Sequence, residues 1–448
     1  MLNRFAAALV AIALILPANM AHARGLIRDA EIERTLARLA APVFRAAGLS
    51  EGGVNMFIRN DPSLNAFVFG GRNMVLHTGL LTRLKTPEAL MGVMAHEAGH
   101  IAGGHLTRRA VAIDRLQGPL AVGTVLAAIA GAAAGRGDVA VAAALGVQSA
   151  GQRSILAFSR SEEAAADQAG ASYLEAAGVD PGAILEILQL FRGQEVFTAG
   201  NVDPYALTHP LSAERIVLLE DRINRSAAKG GKVSEDLAYW HLRMRAKLAA
   251  FLSSPRRTLR IIEESENPNN EMNVLSRAIA LHLLPDPDGA AAQVDRLIEL
   301  RPNDPYYWEL KGQILFESGR GEAAVGPYRK AVELAPEEKL IRGGLGRALL
   351  SLDDPALDAE AVSELEAATR DGQAEPILLR DLALAYARTG EDGKAALATA
   401  ERYAARGSAE DAYRHATRAT DLMPYGSPGW LRADDIRAEA ERVLRSSQ

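Results

Sequence analysis

The sequence predicts a mainly α protein in two folded parts: an N-terminal domain with a small β-sheet, then a C-terminal α-solenoid. Three observations carry this. Helical hydrophobic periodicity prevails from Ser161 to the C-terminus. Runs rich in β-branched and aromatic residues are confined to residues 54–81. From about Glu271 the helical pattern repeats with a period of 34 residues. A length of 448 residues allows two or three domains, and 48% hydrophobic with 24% charged residues supplies a core of ordinary size.

The N-terminus reads MLNRFAAALVAIALILPANMAHARG. Arg4 gives a positive start, Phe5 to Leu16 are apolar, and Ala21-His22-Ala23 is a small-residue cleavage site. Together these predict a secretory signal peptide over residues 1–23, since the apolar run is too short to span a bilayer. The mature chain then works outside the cytoplasm, which in a Gram-negative cell is the periplasm. Net charge is −6 with no block of lysine or arginine, so nothing points to a nucleic-acid partner. The absence of cysteine excludes disulfides, thiolate metal sites, a cysteine nucleophile and a lipid-modified N-terminal cysteine.

Residues 27–48 follow a helical pattern through Ile27, Ile32, Leu36, Leu39, Val43 and Phe44. VNMFIRN (54–60) and NAFVFGGRNMVLHTGLL (65–81) read as two or three short strands, with Gly70-Gly71 as a turn. A helix is expected from about Thr86 to Arg109. Residues 116–135 carry no charge and are long enough to cross a membrane, but hold four glycines, a proline and seven alanines. The segment is expected to form a helical hairpin that packs on the domain or rests peripherally on a membrane surface through residues 116–152. Domains are expected at 24–230 and 231–448.

In the repeat, Pro302 and Pro336 are 34 residues apart and enclose Trp308, Gly312, Ala324, Tyr328 and Ala331. Small residues at Gly312, Ala324 and Ala331 allow two helices to approach closely, and Trp308 and Tyr328 fill the gaps. The spacing resembles the tetratricopeptide repeat, which implies a curved stack with a concave binding face.

The chemistry lies in VMAHEAGHIAGGH, Val93 to His105. His96 and His100 are four apart on a helix, so both imidazoles share a face and can share one ion. Glu97 can reach a water beside that ion, the H-E-x-x-H arrangement of zinc proteases. Leu90, Val93, Met94 and Ile101 would bury the helix. His105 lies nine residues after His96, and on a continuing helix it points about 140° away from His100. It is therefore read as a histidine hydrogen-bonded within the fold, not a ligand.

The missing ligand should be a carboxylate on another helix. In FSRSEEAAADQAG (158–170), Glu163 and Asp167 are four apart. Glu163 can complete a His, His, Glu set, and Asp167 can accept the outer N–H of a ligating histidine. Glu162 competes, but has no acid four residues on. The ligands must converge on one ion, so a single span at 116–135 is excluded: it would hold them about 30 Å apart on opposite membrane faces.

Three motifs in order, NAFVFGGRNMVLHTGLL, HEAGH and the E-x-x-x-D of SRSEEAAADQAG, make residues 27–225 resemble the M48 zinc metallopeptidases. That resemblance implies a zincin-like protease domain with one Zn2+ per chain, Glu163 as third ligand and Asp167 beside a ligand. It departs at Ala165, where the family usually has a second glutamate. It also implies that His209 and Arg215 of THPLSAERI close the cleft, His209 either as a fourth ligand restraining the enzyme or as an oxyanion stabiliser. Family members on the same plan are periplasmic and work with the outer-membrane assembly machinery.

The reading is a zinc endopeptidase for unfolded or misassembled proteins, with Glu97 as the proton-transferring base. Asn65, Ala66, Phe67, Val68 and Phe69 would form an edge strand that pairs with substrate. The rival is a chaperone or scaffold for outer-membrane protein assembly whose repeats bind partners and whose protease activity is latent.

Overall fold

The computed structural model describes residues 25–50, 52–105, 150–191, 209, 212–370 and 375–446. The expected signal peptide and residues 116–149 of the expected hairpin lie outside them. By internal contacts the chain divides into two compact units: one comprises the residues up to Arg28 and Ile32–Arg245, the other Asp29–Glu31 and Ala246–Gln448.

The first unit holds a four-stranded sheet ordered β1-β2-β4-β3: β1 (Leu26–Ile27), β2 (Asn55–Arg59), β3 (Ala66–Phe69) and β4 (Asn73–His77). The β1–β2 and β3–β4 pairs are antiparallel and β2–β4 is parallel. Gly70 and Gly71, at φ 57° and 78°, make the β3–β4 turn in a conformation that β-branched residues avoid. Along β3, Ala66 and Val68 face the core, while Phe67 and Phe69 face the other way beside Phe57. Two further helices flank the sheet, α1 (Ala30–Ala46) and α2 (Thr78–Arg83). The end of the stretch read as strand, from Thr78 on, is therefore helical.

Helix α3 (Pro87–Ala102) carries the H-E-x-x-H motif. It starts cleanly: the Thr86 hydroxyl accepts from Ala89 N, Pro87 fills the first position and Glu88 lies in the first turn. Every residue from Pro87 to His100, save Glu88, is buried, as expected of a helix enclosed on all sides. Burying Leu90, Val93 and Met94 contributes roughly 1.5–3 kcal/mol each. The helix does not run to Arg109. It stops at Ala102, and Gly104 adopts φ 61°.

Helix α4 (Ala150–Ala176) lies along α3 and begins well before Ser161, running unbroken from the last residues of the expected hairpin through 153–160, where no element was expected. Two glycines permit the approach. A Cβ at Gly99 would sit 2.8 Å from the carbonyl oxygen of Ala166, and one at Gly170 would sit 3.0 Å from the backbone of Ala95. This close packing brings the acids of α4 onto the histidines of α3. Helices α5 (Gly182–Phe191), α6 (Ala213–Arg225) and α7 (Glu235–Leu252) follow.

The second unit is a run of antiparallel helix pairs, including α8 (Pro255–Glu263), α9 (Glu271–Leu283), α10 (Pro287–Leu300), α11 (Pro305–Glu317), α12 (Gly321–Leu334) and α13 (Lys339–Leu350), and ends at Pro428–Ser446. The small positions act as read from the spacing. Ala324 and Ala331 are fully buried, and a Cβ at Gly312 would meet the Tyr328 ring at 2.8 Å. Trp308 does not fill the gap assigned to it. Its Nε1 donates to Pro302 O at 2.9 Å near the surface, while its neighbour Tyr307 is fully buried against Leu310 and Ile314. Among the described residues no helix is long and apolar enough to cross a membrane.

Candidate metal centre

His96, His100, Glu163 and His209 meet inside the first unit, each offering one ligand atom with all four atoms within 4.8 Å of one another. All four are buried. Nε2 of His96 and Nε2 of His100 are 3.1 Å apart. The Glu163 carboxylate stands 3.3 Å from each of them. His209 Nδ1 lies 3.0 Å from the same carboxylate and 3.2 Å from His96 Nε2.

The ring that encloses them is also ordered. His96 Nδ1 donates to Asp167 at 2.9 Å, leaving Nε2 for the cluster. Arg215 donates to both Asp167 oxygens, at 2.7 and 2.9 Å, and its Nη1 stands 3.3 Å from Glu163. Ser212 caps α6 by accepting from Arg215 N, and Arg222 ties the far end of that helix to Glu175 and Ser172 of α4. Helix α6 is thus fastened to α4 at two points, just beyond His209 in the chain. Glu97 is fully buried, its carboxylate without an aligned hydrogen bond among the described residues and 3.3 Å from His209 Nε2.

Electrostatically the pocket favours a cation. Three buried carboxylates, Glu97, Glu163 and Asp167, gather around the histidines with a single guanidinium, Arg215, beside them among the described residues. Burial opposes charging of His96, yet Asp167 and then Glu163 outweigh it and raise its pKa to about 10. Burial pushes His100 down to about 3 against the pull of Glu163. Glu163 is held well below the usual carboxylate range despite burial, by His209 and His100. Burial raises Glu97, which suits a group that must exchange a proton. Two imidazole nitrogens and a carboxylate aimed at one point are the donor chemistry of a zinc site, so these residues fit the metal.

Glu162, the competing carboxylate, is buried but outside the cluster. Ala165, where the sequence departs from the family, is exposed, so the missing glutamate leaves the cluster intact. His105 lies outside the ligand group but does not point away from His100. The two Nδ1 atoms are 2.9 Å apart. Only a continuing helix would turn His105 away, and the Gly103-Gly104 pair, the sequence signal against one, ends the helix at Ala102.

Residues 26–223 match peptidase family M48, and residues 254–419 match the tetratricopeptide repeat. The chain thus joins a peptidase family M48 domain to tetratricopeptide repeats. Over 309 residues it is 25% identical to the beta-barrel assembly-enhancing protease of Yersinia pestis, covering 67% of this chain and 62% of that protein, less than two thirds of its length. Over 389 residues it is 26% identical to the protein of the same name from Escherichia coli strain K12, covering 85% of this chain and 77% of that protein. The mitochondrial metalloendopeptidase OMA1 of Schizosaccharomyces pombe is 27% identical over 209 residues, covering 44% of this chain and 54% of that protein.

Proposed function

We propose that the protein is a periplasmic zinc endopeptidase that acts on unfolded or misassembled outer-membrane proteins, with its repeats recruiting substrate or assembly partners. One observation carries the catalytic part: His96, His100 and Glu163 converge beside a buried Glu97. The names of the relatives, a beta-barrel assembly-enhancing protease and a metalloendopeptidase, support the peptidase reading and the assembly context. In the repeats, a groove of about 770 Å³ lined by Leu382, Tyr386, Leu397 and Met423 supports a partner-binding role.

His96 and His100, through Nε2, and Glu163 would hold the metal. Zinc, when bound, supplies Lewis-acid polarisation of the scissile carbonyl and acidifies water. Asp167, clamped by Arg215, keeps the His96 proton on Nδ1 and its Nε2 lone pair inward. Glu97 takes the proton of the attacking water and returns it to the leaving amine. Strand β3 is the last strand of the described sheet, and pairing of an extended peptide with Asn65–Phe69 at that edge favours unfolded substrates.

A second reading concerns His209. It sits among the ligands, with Nδ1 3.0 Å from Glu163 and Nε2 3.3 Å from Glu97, which favours a restraining fourth ligand over an oxyanion stabiliser. His209→Ala is therefore expected to raise cleavage of casein by the zinc-loaded chain, with chelation abolishing cleavage in both proteins. An oxyanion role demands the opposite sign, a drop of about 10²–10³-fold. Unchanged activity with zinc retained rules out both.

A further inference from the structure

His105 is the one histidine of the motif that neither the ligand set nor the proton transfer uses. The chain nonetheless shapes itself around it. Gly104 takes a left-handed φ of 61° and turns the backbone at the end of α3. A Cβ on Gly103 would stand 2.5 Å from His105 Nε2. The turn folds His105 inward, 4% exposed, with its ring edge-on to that of His100 at 4.9 Å and the Nδ1 atoms 2.9 Å apart. The other nitrogen of His100, Nε2, faces His96 and Glu163.

A hydrogen bond between two imidazoles needs one N–H and one lone pair. When His100 gives its Nε2 lone pair to a cation, its proton sits on Nδ1, and Nδ1 must donate. We infer that His105 is the positioning residue of His100. It accepts that proton on its own Nδ1, carries its own hydrogen on Nε2, and so fixes the tautomer and rotation that present His100 Nε2 to the metal. This rests on the metal reading above. The two ligating histidines are then held by different means. His96 leans on a carboxylate clamped by Arg215, and His100 on a neutral ring. A second outer carboxylate would add a further buried charge to a pocket already rich in them, whereas an imidazole acceptor orients the ring without one.

Zinc affinity of the full chain, measured by competition with a chromophoric chelator, tests this together with the absorption spectrum of the cobalt-substituted protein. His105→Phe keeps a ring but removes the acceptor, and His105→Gln supplies an amide oxygen. His105→Phe is expected to weaken zinc about 10–100-fold and shift the cobalt bands, with His105→Gln recovering most of the loss. Wild-type affinity in His105→Phe overturns the inference, and so does an equal loss in both variants, because the acceptor then plays no part. A wild-type chain that takes up no zinc would instead sink the metal reading itself. Should His105→Phe not fold, nitrogen-15 spectra of the zinc-loaded wild type decide: a proton on His105 Nε2 is expected, and one on Nδ1 overturns the proposal.

Discussion

Replacing Glu97 with glutamine is expected to lower casein cleavage by about 10²–10⁴-fold while zinc content stays at the wild-type level. Glutamine matches the shape of glutamate but cannot take a proton. The site makes this substitution clean. Glu97 is fully buried, and no aligned hydrogen bond among the described residues depends on its carboxylate. Its neighbours His96 and His100 are hydrogen-bonded through Nδ1 to Asp167 and His105, not to Glu97. Folding and metal binding should therefore survive. The same variant separates the two functional classes. A chaperone or scaffold would keep its role in outer-membrane assembly, and a protease would lose it.

The second large effect is on stability. Arg215→Met is expected to destabilise the metal-free first unit by about 3–5 kcal/mol at neutral pH, because it leaves Asp167 buried without its bidentate partner. At roughly 2–4 °C per kcal/mol for a unit of this size, the midpoint should fall by about 6–20 °C. Burial favours protonation of Asp167, and the hydrogen bonds and charges of His96 and Arg215 hold its pKa low. The double variant Arg215→Met, Asp167→Asn should recover much of the loss, since the Asp167 charge is removed together with its partner. A shift below about 1 kcal/mol in the single variant, read by thermal melting, would show that the pair does not support the fold.

How much of this was legible beforehand differs from residue to residue. His96 and His100 could be read because a helix repeats every 3.6 residues and the motif sits inside an unbroken apolar pattern. The same spacing made Glu163 and Asp167 candidates, and the family resemblance gave them their roles. His209 could not be reached that way. It comes from a loop far along the chain, brought in by the fastening of α6 to α4 through Arg215 and Arg222, and only the family resemblance pointed to it. His105 was misplaced because two adjacent glycines outweigh the helical pattern that precedes them. The early start of α4 was missed because the eight residues 153–160, between the expected hairpin and Ser161, are too few to show a helical period on their own. Trp308 and Tyr307 are neighbours of similar size, and which one enters the core depends on the exact phase of the helix, a detail finer than repeat spacing resolves.

Zinc content of the purified chain after extensive dialysis tests the central claim most directly. One equivalent is expected in the wild type and none in His96→Ala, His100→Ala or Glu163→Ala, whereas His105→Ala should still take up one equivalent when zinc is supplied in excess. Full zinc in Glu163→Ala, or none in the wild type, would contradict the assignment.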